Sequence, residues 1–281
     1  MDATAYMIFD LDAYLSELQR FAEDGIEQEP DNQELTQFGD ATAAGTEKKK
    51  KKKVKQPSCR KNKVRAALLN VRSIGNKLED VKELIKNNDL DVFLATETWI
   101  KSNNPIEKAL SEFEVYHNPR EDRRGGGVAV LVLKALIIED GDAPLQFQAH
   151  AFEYVAVKLK RKQWSQPALL INVYRPPGGT FRDFKVDFEK LLDEAFTKFE
   201  QVILTGDLNG KWKTFPDYLR EKGLKQHVEE PTHDKGNTLD VIITKINLFK
   251  ISKPEVKDDG ISDHYTVYFN IREGNAEEKR T

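Results

Sequence analysis

The stretch Gln201-Val-Ile-Leu-Thr-Gly-Asp-Leu-Asn-Gly210 runs an apolar segment straight into Gly-Asp-x-Asn, with Trp212 two residues further on. Val202, Ile203 and Leu204 are an uninterrupted apolar run, the pattern of a strand covered on both faces of its sheet. Gly206 can take the turn at its end. Asp207 and Asn209 stand two apart, so in an extended segment both side chains leave from the same edge. A carboxylate and an amide aimed together from a strand end can hold a metal ion, a water or a phosphate. The same letters also spell a strand followed by an Asx-type turn, because Gly, Asp and Asn are common turn formers.

Outward from this stretch the chain reads as many strands with a few helices between them. Strands are expected over 64–71, 91–98, 127–133, 154–159, 168–173, 202–205, 239–244 and 265–271. Residues 77–88 read as an amphipathic helix, with Leu78, Val81, Leu84 and Ile85 at helical spacing. Residues 181–199 read as a second, with Phe184, Phe188, Leu191, Leu192 and Phe196 on one face, and 218–222 as a third. Two sheets packed face to face with helices outside accommodate this order. No internal repeat is visible.

The net charge of −3 over 281 residues conceals blocks of opposite sign. Residues 1–47 hold twelve Asp/Glu against the single Arg20, and residues 48–65 hold eleven Lys/Arg and no acid. The acidic arm (1–47) has one apolar patch from Tyr6 to Leu18 that fits a short helix; the rest is too polar to fold. Lys48 to Lys53, followed by Val54 and Lys55, opens a lysine-rich linker (48–62). It reads as a solvated linker, as a signal for a nuclear-import receptor, or as a non-specific grip on a nucleic-acid backbone. A nuclear location rests on that run alone; the alternative is cytoplasmic. No apolar run approaches the ~18 residues of a membrane span, and the acidic N-terminus is unlike a signal peptide. Cys59 is the only cysteine, which excludes an internal disulfide and a cysteine-based zinc cluster and fits a reducing compartment.

Polar groups recur where these strands end. Asn70 closes the first, Glu97 the second, and Tyr174 with Arg175 follow the run 169–173. Asp207 and Asn209 follow 202–205, Asp240 lies in Asn237-Thr-Leu-Asp-Val-Ile-Ile243, and Asp263-His264 precede the last strand. Each alone is explained as a turn or cap residue. Six such clusters at the rim of an apolar core would be costly unless they met and satisfied one another.

In that order, Asn70, Glu97-Thr-Trp99, Tyr174-Arg-Pro-Pro177, Gly206-Asp-Leu-Asn209, Leu239-Asp240 and Ser262-Asp-His264 resemble the endonuclease/exonuclease/phosphatase superfamily. The segments Asn70-Val-Arg-Ser-Ile-Gly-Asn-Lys-Leu78, Arg124-Gly-Gly-Gly-Val-Ala-Val130, Val173-Tyr-Arg-Pro-Pro177 and Glu230-Pro-Thr-His233 are most similar to the apurinic-type endonuclease domains of non-LTR retrotransposons. The resemblance runs from about Val64 to Ile271. It implies a four-layered α/β sandwich over 63–272, two mixed and mainly antiparallel sheets with helices outside, and a disordered tail over 273–281.

The resemblance also implies a Mg²⁺-dependent phosphodiesterase site, with Mn²⁺ as a substitute and no small-molecule cofactor. Glu97 would be the main metal ligand, with Asn70, Asp207, Asn209 and Asp263 completing the shell directly or through water. His264 would sit against the phosphate with its tautomer fixed by Asp240. Either His264 or Asp207 would deprotonate the attacking water, and Asn209 and Tyr174 would hold non-bridging oxygens. Trp212 is expected to pack in its loop. The implied reaction is the nicking of DNA to leave a 3′-hydroxyl, with Arg123, Arg124, Arg175 and Lys211 reading either as backbone-phosphate contacts or as solvated surface charges.

Two departures qualify this. Arg72 stands where cellular apurinic-site endonucleases of the superfamily usually carry an acid, which argues against repair specialisation. The chain also ends about ten residues after Ile271, so it reads as a stand-alone domain, a fragment, or a host gene derived from an element. The competing functions are a catalytically inactive nucleic-acid-binding or scaffold protein and, ranked lower, a phosphatase of the same superfamily.

Overall fold

The computed structural model describes residues 63–101, 106, 109–120, 124–138, 143–210, 215–245 and 249–273. The acidic arm, the lysine-rich linker, Arg123, Lys211, Trp212 and the residues after Glu273 lie outside them, and so do the expectations that rest on those segments.

Two sheets form the centre. The first contains β1 (Val64–Asn70), β2 (Val92–Thr96), β3 (Phe113–Asn118), β4 (Val128–Leu133), β10 (Phe249–Ile251), β11 (Glu255–Lys257) and β12 (Thr266–Glu273), in the order β10-β12-β1-β2-β4-β3 with β11 also on β12. The second contains β5 (Glu153–Leu159), β6 (Ala168–Tyr174), β7 (Val202–Asp207), β8 (Leu224–Gln226) and β9 (Asp240–Lys245), in the order β5-β6-β7-β9-β8. Each sheet has one parallel pair, β1–β2 and β6–β7; the other pairings are antiparallel.

Alternation along the strands makes the layers. Ala66 and Leu68 of β1, Val92 and Leu94 of β2, and Val128, Val130 and Val132 of β4 pack against Val157, Leu170, Ile203 and Ile242 between the sheets. The intervening Ala67, Leu69, Phe93 and Ala95 turn outward to α1 (Leu78–Asn87), which meets them with Val81, Leu84 and Ile85. On the other side Leu169, Ile171, Val173, Val202 and Leu204 meet Phe184, Phe188, Leu191 and Leu192 of α2 (Phe181–Lys198) and Tyr218 and Leu219 of α3 (Phe215–Glu221). Helix, sheet, sheet, helix: this is the expected four-layered sandwich. Thr180 caps α2 by accepting from Asp183 N at 3.1 Å. No helix of the described residues is long and apolar enough to cross a membrane.

The strands predicted as long buried runs are present, with ends shifted by a residue or two. Four short or edge strands, β3, β8, β10 and β11, were not anticipated, and β12 continues to Glu273. One polar residue in the apolar interior has a structural use. Asn172, fully buried, donates to Ala95 O (3.0 Å) and Ala129 O (3.1 Å) of the opposite sheet and accepts from Thr205 Oγ1 (3.2 Å). It stitches the two sheets together near the end where the polar strand termini lie.

Candidate active site

Both parallel pairs are crossovers through a helix, so their carboxyl ends point the same way and leave a crevice, the usual place for a ligand in α/β sheets. In the five-stranded sheet the register sets Tyr174, Asp207 and Asp240 in one row across β6, β7 and β9. In the seven-stranded sheet Asn70 is level with Thr96, so Glu97 leaves β2 just beyond it. Asp263 and His264 enter from the turn before β12. Gly206 is required where it is: its φ is +138°, and a Cβ there would lie 1.8 Å from Val173 O.

Hydrogen bonds join the two sheets through these groups. Asp240 Oδ2 holds His264 Nδ1 at 2.9 Å, and His264 Nε2 faces Asp207 Oδ2 at 3.8 Å. Asn70 Nδ2 donates to Asp207 Oδ2 (2.8 Å) and to Glu97 Oε1 (2.9 Å). Asn209 donates to Asp207 with its backbone N–H (Oδ1, 2.8 Å) and its side-chain amide (Oδ2, 3.3 Å). Tyr174 is hydrogen-bonded to Glu97, and Trp99 Nε1 donates to Glu97 Oε2 at 3.3 Å. The eight residues expected to be catalytic lie together, with Asp263 at the margin beside His264.

Several positions differ in detail from expectation. Asn70 Oδ1 accepts from Arg72 N at 3.1 Å, and its amide nitrogen donates between two carboxylates. Asp263 Oδ2 pairs with Arg72 and faces His233 Nε2 at 3.5 Å, while its buried Oδ1 has no hydrogen-bond partner. Arg175 does not reach an open surface. It is buried, donates to the carbonyls of Leu208 (3.3 Å), Asn209 (2.9 Å) and Gly179 (2.6 Å), and lies 5.5 Å from the Phe184 ring. Its sequence reading as a phosphate contact is corrected: it braces the loop that carries Asn209. Arg124 is exposed, as expected.

Sequence reasoning did not assign three supporting groups. Thr232 Oγ1 accepts from the backbone N–H of Leu239 (3.0 Å) and Asp240 (3.1 Å), fixing the strand that presents Asp240. His233 stacks edge-on to His264 with ring centroids 4.7 Å apart. Both lie in Glu230-Pro-Thr-His233, which the sequence offered only as a motif. Glu153 binds Arg120 and accepts from Gly127 N, and Arg120 lies 5.7 Å from the Tyr174 ring. No local signal links residues so far apart in sequence.

Buried carboxylates dominate the electrostatics of the site. Burial, then the Asp240 carboxylate, raise the pKa of Asp207, against the opposing pull of His264, Asn70 and the Asn209 amide. For His264 burial alone would lower the pKa, but the hydrogen bond and charge of Asp240, with Asp207 and Asp263, carry it up to about 9. Burial and the neighbouring Glu97 and Asp207 raise Tyr174, which stays a neutral donor. Buried Asp240 Oδ1 and Asp263 Oδ1 have no hydrogen-bond partner. A hard divalent cation suits carboxylate oxygens of this kind. Among the described residues, two donor sets come close enough together to hold one ion: Asp207, Asp240 and His264, and His233, Asp263 and His264.

Comparison with known proteins agrees with this layout. The fold is shared with the endonuclease domain of TRAS1, a telomere-specific non-LTR retrotransposon, at TM-score 0.56 and 17% identity, over 76% of this chain and 100% of that one. It is shared with truncated Caenorhabditis elegans TDP2 at TM-score 0.54 and 17% identity, over 75% and 98% of the respective chains. It is also shared with the human Nocturnin catalytic domain with bound sulfate, at TM-score 0.57 and 14% identity, over 75% and 94%. Among curated protein sequences nothing matches. The model of the Endonuclease/Exonuclease/phosphatase family matches residues 67–264. Its members are hydrolases of phosphodiester or phosphate bonds that generally use divalent metal ions. The site described above lies within the matched span, and the chain belongs to the Endonuclease/Exonuclease/phosphatase family.

Proposed function

We propose that this protein is a Mg²⁺-dependent endonuclease that nicks DNA and leaves a 3′-hydroxyl. The observation that carries the reading is the continuous chain Asp240–His264–Asp207–Asn70–Glu97, which spans both sheets at the carboxyl ends of their parallel strands. The choice of DNA over other phosphate esters rests on the sequence segments similar to retrotransposon endonuclease domains, a fold that this chain shares.

Glu97 and Asp263 are the partly exposed carboxylates of the site; Glu97, joined to Asp207 through Asn70, would be the principal holder of the metal, with Asp263 and Asp207 beside it. Bound there, Mg²⁺ would supply charge neutralisation for the scissile phosphate and its leaving oxygen. The remaining work belongs to the chain. Asp240 locks the His264 ring with Nε2 turned into the site, and the raised pKa keeps that nitrogen protonated at neutral pH. His264 then acts as a cationic donor to a non-bridging phosphate oxygen. A cation bound beside Asp207 would offset the burial and the Asp240 charge that raise its pKa, and that carboxylate would then orient the water and take its proton. The water oxygen bonds to phosphorus, its proton passes to the Asp207 carboxylate, the P–O3′ bond breaks, and the departing O3′ takes a proton from solvent to become the 3′-hydroxyl. Asn209 and the neutral Tyr174 hydroxyl steady the other oxygens.

Conversion of supercoiled plasmid to open circle tests this. Wild type nicks with Mg²⁺ and stops with chelator; Asp207→Ala and His264→Ala nick at least a hundredfold more slowly. Nicking that survives both substitutions overturns the mechanism. Binding of nucleic acid without cleavage under any of these conditions favours a scaffold.

A further inference from the structure

The wall of the site built by the seven-stranded sheet displays an aromatic side chain that the hydrolytic chemistry does not use. Trp99 lies two residues after Glu97 with φ +54°, an outlier for a bulky aromatic. Its backbone is pinned: Trp99 N donates to Gly126 O at 2.9 Å and Thr98 N to Gly127 O at 3.2 Å. The pinning loop requires glycine, since Gly127 has φ +83° and a Cβ there would lie 2.6 Å from Thr98 Oγ1. Trp99 takes no part in the three apolar clusters of the fold and stays partly exposed. The exposed Arg124 lays its guanidinium 5.4 Å from the centre of the indole, and the indole N–H touches Glu97.

An indole with a guanidinium close by offers an aromatic face and a positive charge side by side. Nucleobases stack on such surfaces whatever their sequence, because each has a π face, and arginine adds cation–π attraction and a donor for the adjoining phosphate. A base within continuous duplex is already stacked on both sides. An unpaired or mispaired base reaches a platform at the least cost. We propose that Trp99 and Arg124 form a stacking platform for one unpaired nucleobase beside the scissile phosphate, so that the protein favours DNA carrying an unstacked nucleotide over fully paired duplex. The proposal rests on the nuclease reading above and names the substrate form that reading would prefer.

Equilibrium binding tests it, with Ca²⁺ replacing Mg²⁺ and two DNA duplexes, one fully paired and one with a single bulged 2-aminopurine. Wild type binds the bulged duplex about tenfold more tightly, and the 2-aminopurine fluorescence is quenched on binding. Trp99→Leu and Arg124→Ala bring the two affinities to within about twofold and reduce the quench. Trp99→Phe lacks the N–H that touches Glu97 but keeps an aromatic face, and it retains the preference, which separates stacking from support of Glu97. Equal binding of both duplexes by wild type, or an unchanged preference in Trp99→Leu, overturns the platform while leaving the nuclease reading intact. Absence of DNA binding together with absence of plasmid nicking overturns both.

Discussion

The two walls of the site are built by different rules. The wall from the five-stranded sheet is buried and held by ladder register: Asp207 and Asp240 have no exposed surface and stand opposite each other on paired strands. The wall from the seven-stranded sheet is partly open, and its shape is held by loops in uncommon conformations. Of the six non-glycine residues with positive φ among those described, Arg72, Ser73, Glu97 and Trp99 belong to this wall, and only Asn209 to the other. Gly125, Gly126 and Gly127 face them with φ between +76° and +88°. The difference divides labour. On the proposed reading, proton handling would fall to residues fixed by ladder register, and the carboxylate facing the metal and the stacking surface to residues aimed by local strain.

Substitution on the buried wall is expected to have the largest effect. Asp240→Asn leaves His264 without an anionic partner and lowers kcat roughly a thousandfold, with the fold intact by circular dichroism. A loss of less than tenfold would mean that ladder register is not what arms the histidine.

Backbone packing separates the walls next. Gly206→Ala drives a methyl into the Val173 backbone and is expected to cost about 4 kcal/mol, enough to lower Tm by more than 10 °C or prevent folding. Gly126→Ala also has φ +76°, but its methyl meets the far end of the Arg120 side chain, which can move. A cost nearer 1–2 kcal/mol follows. Equal losses in denaturant titrations would erase the distinction drawn here.

How much of this was legible beforehand follows the same division. β1, β2, β4, β6, β7 and β9 are runs of Val, Ile, Leu and Ala buried on both faces, and such runs declare themselves in one dimension. The strand ends could be read too, since Asn70, Asp207 and Asp240 interrupt apolar runs where a lone polar group would be costly. β8, β10 and β11 are three residues each and lean on neighbours for pairing, so periodicity had nothing to count. β3 alternates Phe113, Val115 against Glu114, Tyr116 and could have been found. Arg175 misled because an arginine after a strand reads as an exposed cation, whereas its own turn and the loop after β7 together place three carbonyls around it. The links of Glu153 to Arg120 and of Asn172 to the opposite sheet depend on approach between distant segments. Nothing local encodes them.

Metal linkage sharpens the open wall. If Glu97 holds the ion, Mg²⁺ at a hundred times its Kd stabilises wild type by about 2.7 kcal/mol, and Glu97→Gln loses most of that shift in Tm. A shift of the same size in both proteins would move the metal elsewhere.

The smallest effect lies away from both walls. Burial, then the Lys225 charge, push His227 down to about 4 from the 6.5 of an unconstrained histidine, and its Nε2 lies 2.8 Å from Thr244 Oγ1. Above pH 6.5 both folded and unfolded chains are neutral there. As pH falls toward 4 the unfolded chain takes up a proton that the folded one refuses, and stability declines. With allowance for its partial exposure the loss is about 1 kcal/mol, and His227→Gln should flatten that part of a Tm–pH curve. An unchanged slope would place the titrating group elsewhere.

The most direct measurement is of the ends the reaction leaves. Plasmid treated with wild type and Mg²⁺ should prime DNA synthesis by a polymerase without further processing, because each nick carries a 3′-hydroxyl. Priming should vanish with chelator and in His264→Ala. Nicks that prime equally well in chelator, or that arise at full rate without the histidine, would contradict a single metal-dependent centre shared by the two sheets.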